Sequence, residues 1–109
     1  MDFKTYQKDS RQTAKYIEAG SNFIYPTLGL ASEAGEVAGK VKKIMRDDGM
    51  NVSEEKREQI KDELGDVLWY VAQVATEFNL DLEEIAKNNL DKLLSRMERG
   101  VLGGSGDNR

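Results

Sequence analysis

The chain has no cysteine, no histidine and a single proline among its 109 residues, and each shortage removes a class of answers. Without thiolate or imidazole there is no zinc site of the usual kind and no serine-histidine or cysteine-histidine nucleophile. The di-iron carboxylate bundle, which needs Glu-x-x-His on its helices, falls with them. No stretch approaches 18 consecutive apolar residues, and the start, Met1-Asp2-Phe3-Lys4-Thr5-Tyr6, has no apolar signal core, so no membrane partner and a cytoplasmic location are expected. The net charge of -4 and the lack of a Lys/Arg stripe with interleaved aromatics argue against a nucleic-acid partner. The absence of cysteine fits a reducing compartment.

What is present is helical periodicity, with no strand-like alternation competing. Four segments are legible. The first runs from Asp2 to Ala19 with a weak stripe (Phe3, Tyr6, Thr13, Ala14, Ile17) and stops at Gly20. The second runs from about Pro26 to Asp47, the proline being acceptable in a first turn. The third starts after the N-cap Ser53, with Glu54 and Glu55 in its first turn, and continues to Phe78. The fourth runs from an Asp81/Glu84 capping box to about Arg99. The expected fold is all-α: an antiparallel bundle of about four helices over residues 1–100, one domain, followed by a glycine-rich tail at 101–109.

The most informative pattern is a symmetry about the turn Asp47-Asp48-Gly49-Met50-Asn51. If the flanking helices fold back on each other, residue i meets residue 99 minus i, which sets Glu33 level with Asp66 and Glu36 level with Glu63. Rotational phase agrees. Relative to the stripe Leu30, Ala34, Val37, Val41, Ile44, the first pair lies about 65° and 125° to one side. Relative to Ile60, Leu64, Val67, Val71, Val74, Phe78, the second lies about 80° and 140° in the same sense. In an antiparallel pair that places all four carboxylates on one side, beside the seam and about 22 Å from the turn. Four clustered carboxylates repel one another, and a bound hard cation, magnesium or manganese, relieves that repulsion with oxygen ligands.

Chance and bland roles compete with this reading. Twenty acidic residues produce other i, i+3 pairs, Glu55 with Glu58 in a charged first turn and Asp81 with Glu84 in a cap. The matched glycines weigh the other way: Gly35 and Gly65 occupy the same slot in each pair, at roughly 1 kcal/mol of helix propensity each, which suggests close backbone approach or room for a ligand. Lys40 and Lys43, one turn beyond the first pair, reach the carboxylates or a phosphate if they are not simply solvated. Trp69, about 160° from its stripe centre, needs a second packing surface, which either a homo-oligomer or helices one and four of the same chain supplies.

The segments Leu28-Gly29-Leu30-Ala31-Ser32-Glu33-Ala34-Gly35-Glu36-Val37 and Asp62-Glu63-Leu64-Gly65-Asp66-Val67-Leu68-Trp69-Tyr70 resemble the MazG-like nucleotide pyrophosphohydrolases of the all-α nucleoside triphosphate pyrophosphatase superfamily. Asn89-Leu90-Asp91-Lys92-Leu93-Leu94-Ser95-Arg96 is similar to that family's Asn-x-x-Lys-Leu-x-x-Arg segment. The resemblance covers about residues 25 to 100. It implies hydrolysis of a nucleoside triphosphate to a monophosphate and pyrophosphate, with Glu33, Glu36, Glu63 and Asp66 as catalytic metal ligands for Mg2+ (or Mn2+). It also implies substrate contacts from Asn89, Lys92 and Arg96, while the apolar side chains that one hairpin cannot hide lead to the expectation of a homo-oligomer, dimer or tetramer. Trp69 and Tyr70 are candidates to stack on a base, and the tail is a candidate lid. The alternatives are a related dUTP/dCTP or phosphoribosyl-ATP pyrophosphohydrolase, and a non-enzymatic helical interaction module whose acids contact a basic partner.

Overall fold

A computed structural model describes residues 1–100 and contains four helices: α1 (Phe3–Arg11), α2 (Ile24–Asp47), α3 (Glu54–Glu77) and α4 (Leu82–Glu98). The expected lid at 101–109 lies outside the described residues. Helices α2 and α3 form the long antiparallel hairpin. α1 packs on α3, and α4 packs on α1 and on α3; among the described residues neither α1 nor α4 touches α2.

The sequence punctuation explains most boundaries. Ser53 accepts the Lys56 N–H at 3.1 Å and starts α3. Asp81 starts α4, taking the N–H of Glu83 rather than that of Glu84, while Leu82 N–H goes to the Gln7 side chain at 2.9 Å. α2 begins two residues earlier than Pro26, because Asn22 Oδ1 accepts the N–H groups of both Ile24 and Tyr25 at 3.1 Å. In the hairpin turn Gly49 and Met50 both adopt positive φ, 58° and 67°.

The first helix departs from expectation. It ends at Arg11 instead of Ala19, and residues 12–23 form an irregular loop in which Glu18 and Gly20 take positive φ, 54° and 103°. The cause is non-local. Glu77, on the last turn of α3, draws in the backbone N–H groups of Gly20 and Asn22 and the Tyr16 hydroxyl, and a continuous helix cannot present those three donors to one carboxylate. Trp69 is likewise covered within the chain: its Nε1–H donates to Thr13 Oγ1 at 2.8 Å, and Tyr16 lies edge-on to it.

Among the described residues the buried apolar set is small, comprising Ile44, Ala72, Ala75 and Leu82 with Pro26, and three polar or charged residues, Gln73, Ser10 and Arg96, are buried as well. Gln73 donates to Ser10 Oγ at 3.0 Å and accepts from Arg11, so α1 is fixed to the back of α3 by hydrogen bonds as well as packing. The hairpin seam is rotated from its expected phase. Val37, Lys40, Ile44, Glu63, Val67 and Glu33 are at least partly buried, whereas Val41 and Leu64 of the expected stripe are more than half exposed, as is Met45.

Candidate active site

The back-folded hairpin gathers carboxylates from both arms. Glu33 of α2 and Glu63 and Asp66 of α3 each place one oxygen within 4.8 Å of the others. Glu36 is not a member of that triplet, although its charge is felt at Glu33. Glu33 and Glu63 are half-buried and Asp66 is exposed, so the group lies between the two helices with its mouth toward solvent.

The electrostatics follow from the crowding. The Glu33 carboxyl is held above the usual carboxylate range, first by burial, then by a hydrogen bond shared with Glu63, then by the charges of Asp66, Glu63 and Glu36. One counter-charge from the same hairpin is at hand: Lys40 Nζ stands 3.8 Å from Glu63, which is pairing with a carboxylate and not the simple solvation that led the expectation. An all-oxygen donor set carrying several negative charges, in a mouth open to solvent, fits a hard divalent cation.

Beside the cluster lies a cleft of about 270 Å³ lined by Tyr25, Leu28, Gly29, Ser32, Glu33 and Tyr70. Tyr70 belongs to it because of Gly29. A Cβ on Gly29 would stand 2.2 Å from the Tyr70 ring, so only glycine admits that ring against the α2 backbone. Burial pushes the Tyr70 phenol up, Tyr25 adds to this through its charge and a hydrogen bond, and Glu33 and Asp66 add more, which places the phenol within the field of the acids. Tyr6 of α1 is also raised, by burial and then by the charge of Asp66, and it lines a separate cleft with Met1, Asp2, Phe3 and Leu68. Sequence spacing did not single out Tyr6, Tyr25, Gly29 or Ser32. The available signal was the position of Gly29 and Tyr70 one turn from the acid pairs.

Gly35 and Gly65 meet nothing within 4 Å of an added Cβ. Of the two reasons offered for them, close backbone approach does not occur among the described residues, and open space next to the acids does. The expected substrate residues of α4 are placed differently from the acids. Asn89 is exposed, Lys92 is half-buried and Arg96 is only 2% exposed, with Lys92 and Arg96 both engaged by neighbouring groups. Their helix packs on α1 and on α3, the arm that carries Glu63 and Asp66. A surface cleft of about 510 Å³ between Lys4, Gln7, Lys8, Arg11, Thr76 and Asp81 lies on the α1 side of α3 and holds none of the clustered acids.

The family model described as the MazG nucleotide pyrophosphohydrolase domain matches residues 26–101, the stretch that carries the hairpin, the carboxylates and α4. The chain belongs to this MazG family. A relative 46% identical over 114 residues, with all of both chains covered, is the "Gene 37 protein" of Mycobacterium phage L5. No solved structure matches. Within the MazG frame the fold accounts for the match: α2 and α3 supply the acids, and their antiparallel pairing brings three of them together. Among the described residues, no helix is long and apolar enough to cross a membrane.

Proposed function

We propose that this MazG-family chain is a divalent-metal-dependent nucleoside triphosphate pyrophosphohydrolase that releases a nucleoside monophosphate and pyrophosphate, in a nucleotide-pool housecleaning role. The observation carrying this reading is the approach of the Glu33, Glu63 and Asp66 oxygens to within 4.8 Å, from two helices, beside an aromatic cleft. Magnesium, with manganese as a substitute, would supply charge neutralisation at the phosphate oxygens and a more acidic water. Glu33, Glu63 and Asp66 hold the ion in this reading. Glu36, outside the triplet yet close to it, accepts the proton of the attacking water as general base. Tyr25, Tyr70 and Gly29 shape the cleft that excludes bulk water from the sugar and base. Asn89, Lys92 and Arg96 are kept as substrate contacts, offered from α4, which packs on the acid-bearing helix α3.

The test is pyrophosphate release across a panel of canonical and modified nucleoside triphosphates, with and without magnesium. Release that needs the metal is expected, and the panel separates a general enzyme from a dUTP/dCTP or phosphoribosyl-ATP specialist. No release from any of these substrates, together with salt-sensitive capture of a basic protein, would instead establish the interaction module.

We also propose that a second copy of the chain covers the apolar side of the hairpin. Val41, Met45, Leu64 and Leu68 lie there, 51%, 71%, 53% and 36% exposed. The radius of gyration is 16.8 Å, against about 13 Å for a compact chain of this length. An apolar face on a two-helix layer, repeated on an identical chain, is self-complementary about a two-fold axis. Light scattering should give at least twice the chain mass of 12.2 kDa, and Leu64→Glu combined with Val41→Glu should yield a monomer of lower melting temperature. A monomeric parent would refute the assembly.

A further inference from the structure

Residues 12–23 have no regular structure, yet they are tied down at one point. The Glu77 side chain is 1% exposed. Its Oε2 accepts from Arg11 Nη2 at 2.9 Å, from Gly20 N–H at 2.8 Å and from the Tyr16 hydroxyl, and its Oε1 accepts from Asn22 N–H at 3.0 Å. Arg11 Nη1 donates to the same Tyr16 oxygen at 2.7 Å. This clasp spans the loop and delivers two effects to one residue, Tyr25. Tyr16 stacks on the Tyr25 ring, centroids 5.2 Å apart and planes 14° from parallel. Asn22, clasped through its backbone, uses its side chain to cap α2 at the N–H of Tyr25 itself.

Tyr25 is 45% exposed and lines the cleft that Glu33 closes at its other end. The two residues are separated by about 12 Å of helix. Nothing else in the clasp reaches the cleft. Its geometric output is the orientation of one aromatic face toward a space whose far wall is acidic.

We propose that Tyr16 is a positioning residue, fixed by Glu77, that holds Tyr25 as a stacking wall for the planar base of the nucleotide. This rests on the pyrophosphohydrolase reading for the identity of the ligand. A base stacks on a tyrosine face whichever base it is, so the wall contributes affinity, and the acids at the far end of the cleft act on the phosphates. Loss of the wall therefore weakens binding without altering the chemical step.

Trp69, the chain's single tryptophan, is 5.0 Å from Tyr70 and 6.4 Å from Tyr16, both edge-on, and reports on this aromatic group by its fluorescence. The experiment compares Tyr16→Leu, which removes the stacked ring, with Tyr16→Phe, which keeps it. It measures KM, kcat, and the Kd of a non-hydrolysable nucleoside triphosphate with magnesium, read from Trp69 emission. The expectation for Tyr16→Leu is a KM and a Kd raised about tenfold with kcat within about twofold, Tyr16→Phe, which keeps the ring but loses the hydroxyl that Glu77 holds, lying between it and the parent. Inorganic pyrophosphate with magnesium should bind all three proteins alike. Parental KM and Kd in Tyr16→Leu, a fall in kcat alone, or equal weakening for pyrophosphate would overturn the proposal. If the parent releases no pyrophosphate, the function reading falls by itself and the fluorescence titration decides this inference. There, nucleotide binding weakened by Tyr16→Leu upholds it, and a parent that binds no nucleotide ends it. Should Tyr16→Leu not fold, Tyr25→Leu, half-exposed on a helix, must show the same KM rise, and its absence refutes the wall.

Discussion

Glu33→Gln and Asp66→Asn should each lower pyrophosphate release by at least about a hundredfold while leaving the metal-free fold as stable as the parent or more so. The two effects come from one cause. Glu33 has its carboxyl raised by burial, by the hydrogen bond shared with Glu63 and by the charges of Asp66, Glu63 and Glu36. A carboxyl whose folded value lies above its unfolded one favours the native state while it is protonated, below the ordinary range. That contribution disappears as pH rises through the raised folded value. At neutral pH the ionised group therefore works against the fold, and an amide of the same shape removes the repulsion. The gain in melting temperature should be a few degrees, on a scale of about 4–8 °C per kcal/mol for a domain this small, and larger for Glu33 than for the more exposed Asp66. Added magnesium should then raise the parent's melting temperature and not the variants', since a ligand stabilises only the state that binds it. Scanning fluorimetry with and without the metal, beside the release assay, reads all three. Variants that turn over substrate like the parent would remove these carboxylates from the mechanism.

The hairpin was legible because it is governed by local rules. Ser53, Asp81 and the Asp47–Asn51 turn act on their immediate neighbours, and a symmetric turn fixes the pairing of everything beyond it. So the meeting of Glu33 with Glu63 and Asp66 could be deduced. The phase could not be deduced fully. An apolar stripe that serves only the facing helix is centred on it, but this stripe leaves Val41 and Leu64 exposed while Glu33, Glu63 and Lys40 are partly buried. A stripe divided between two surfaces has its centre between them, and periodicity reports only the centre. The end of α1 was hidden for a different reason. Helical propensity runs on past Arg11, and what stops it is a carboxylate 57 residues away from Gly20 in sequence, the kind of tertiary override that no window of neighbours contains. Trp69 shows the same limit: its placement off the stripe was visible, but its partners, Thr13 and Tyr16, lie on a loop that had been read as helix.

That carboxylate carries the other large effect. Glu77→Gln should destabilise the protein by about 3 kcal/mol at neutral pH, and the difference should shrink as pH falls toward 2. Burial alone would raise the Glu77 carboxyl. Hydrogen bonds from Tyr16, Gly20 N–H, Arg11 and Asn22 N–H outweigh it and bring the value down from 4.5 to about 2. With the folded value depressed, the stabilisation is fully present above the unfolded value and is lost as pH drops from there through about 2. An amide in the same place turns one acceptor into a donor facing other donors, and it leaves the Arg11 guanidinium without its buried counter-charge. Urea unfolding of parent and variant, repeated from neutral to acid pH, should give two stability curves that converge on the acid side. Curves that stay parallel would mean that Glu77 contributes by shape, and Arg11 and the three donors of the loop would then be held by packing, not by its charge.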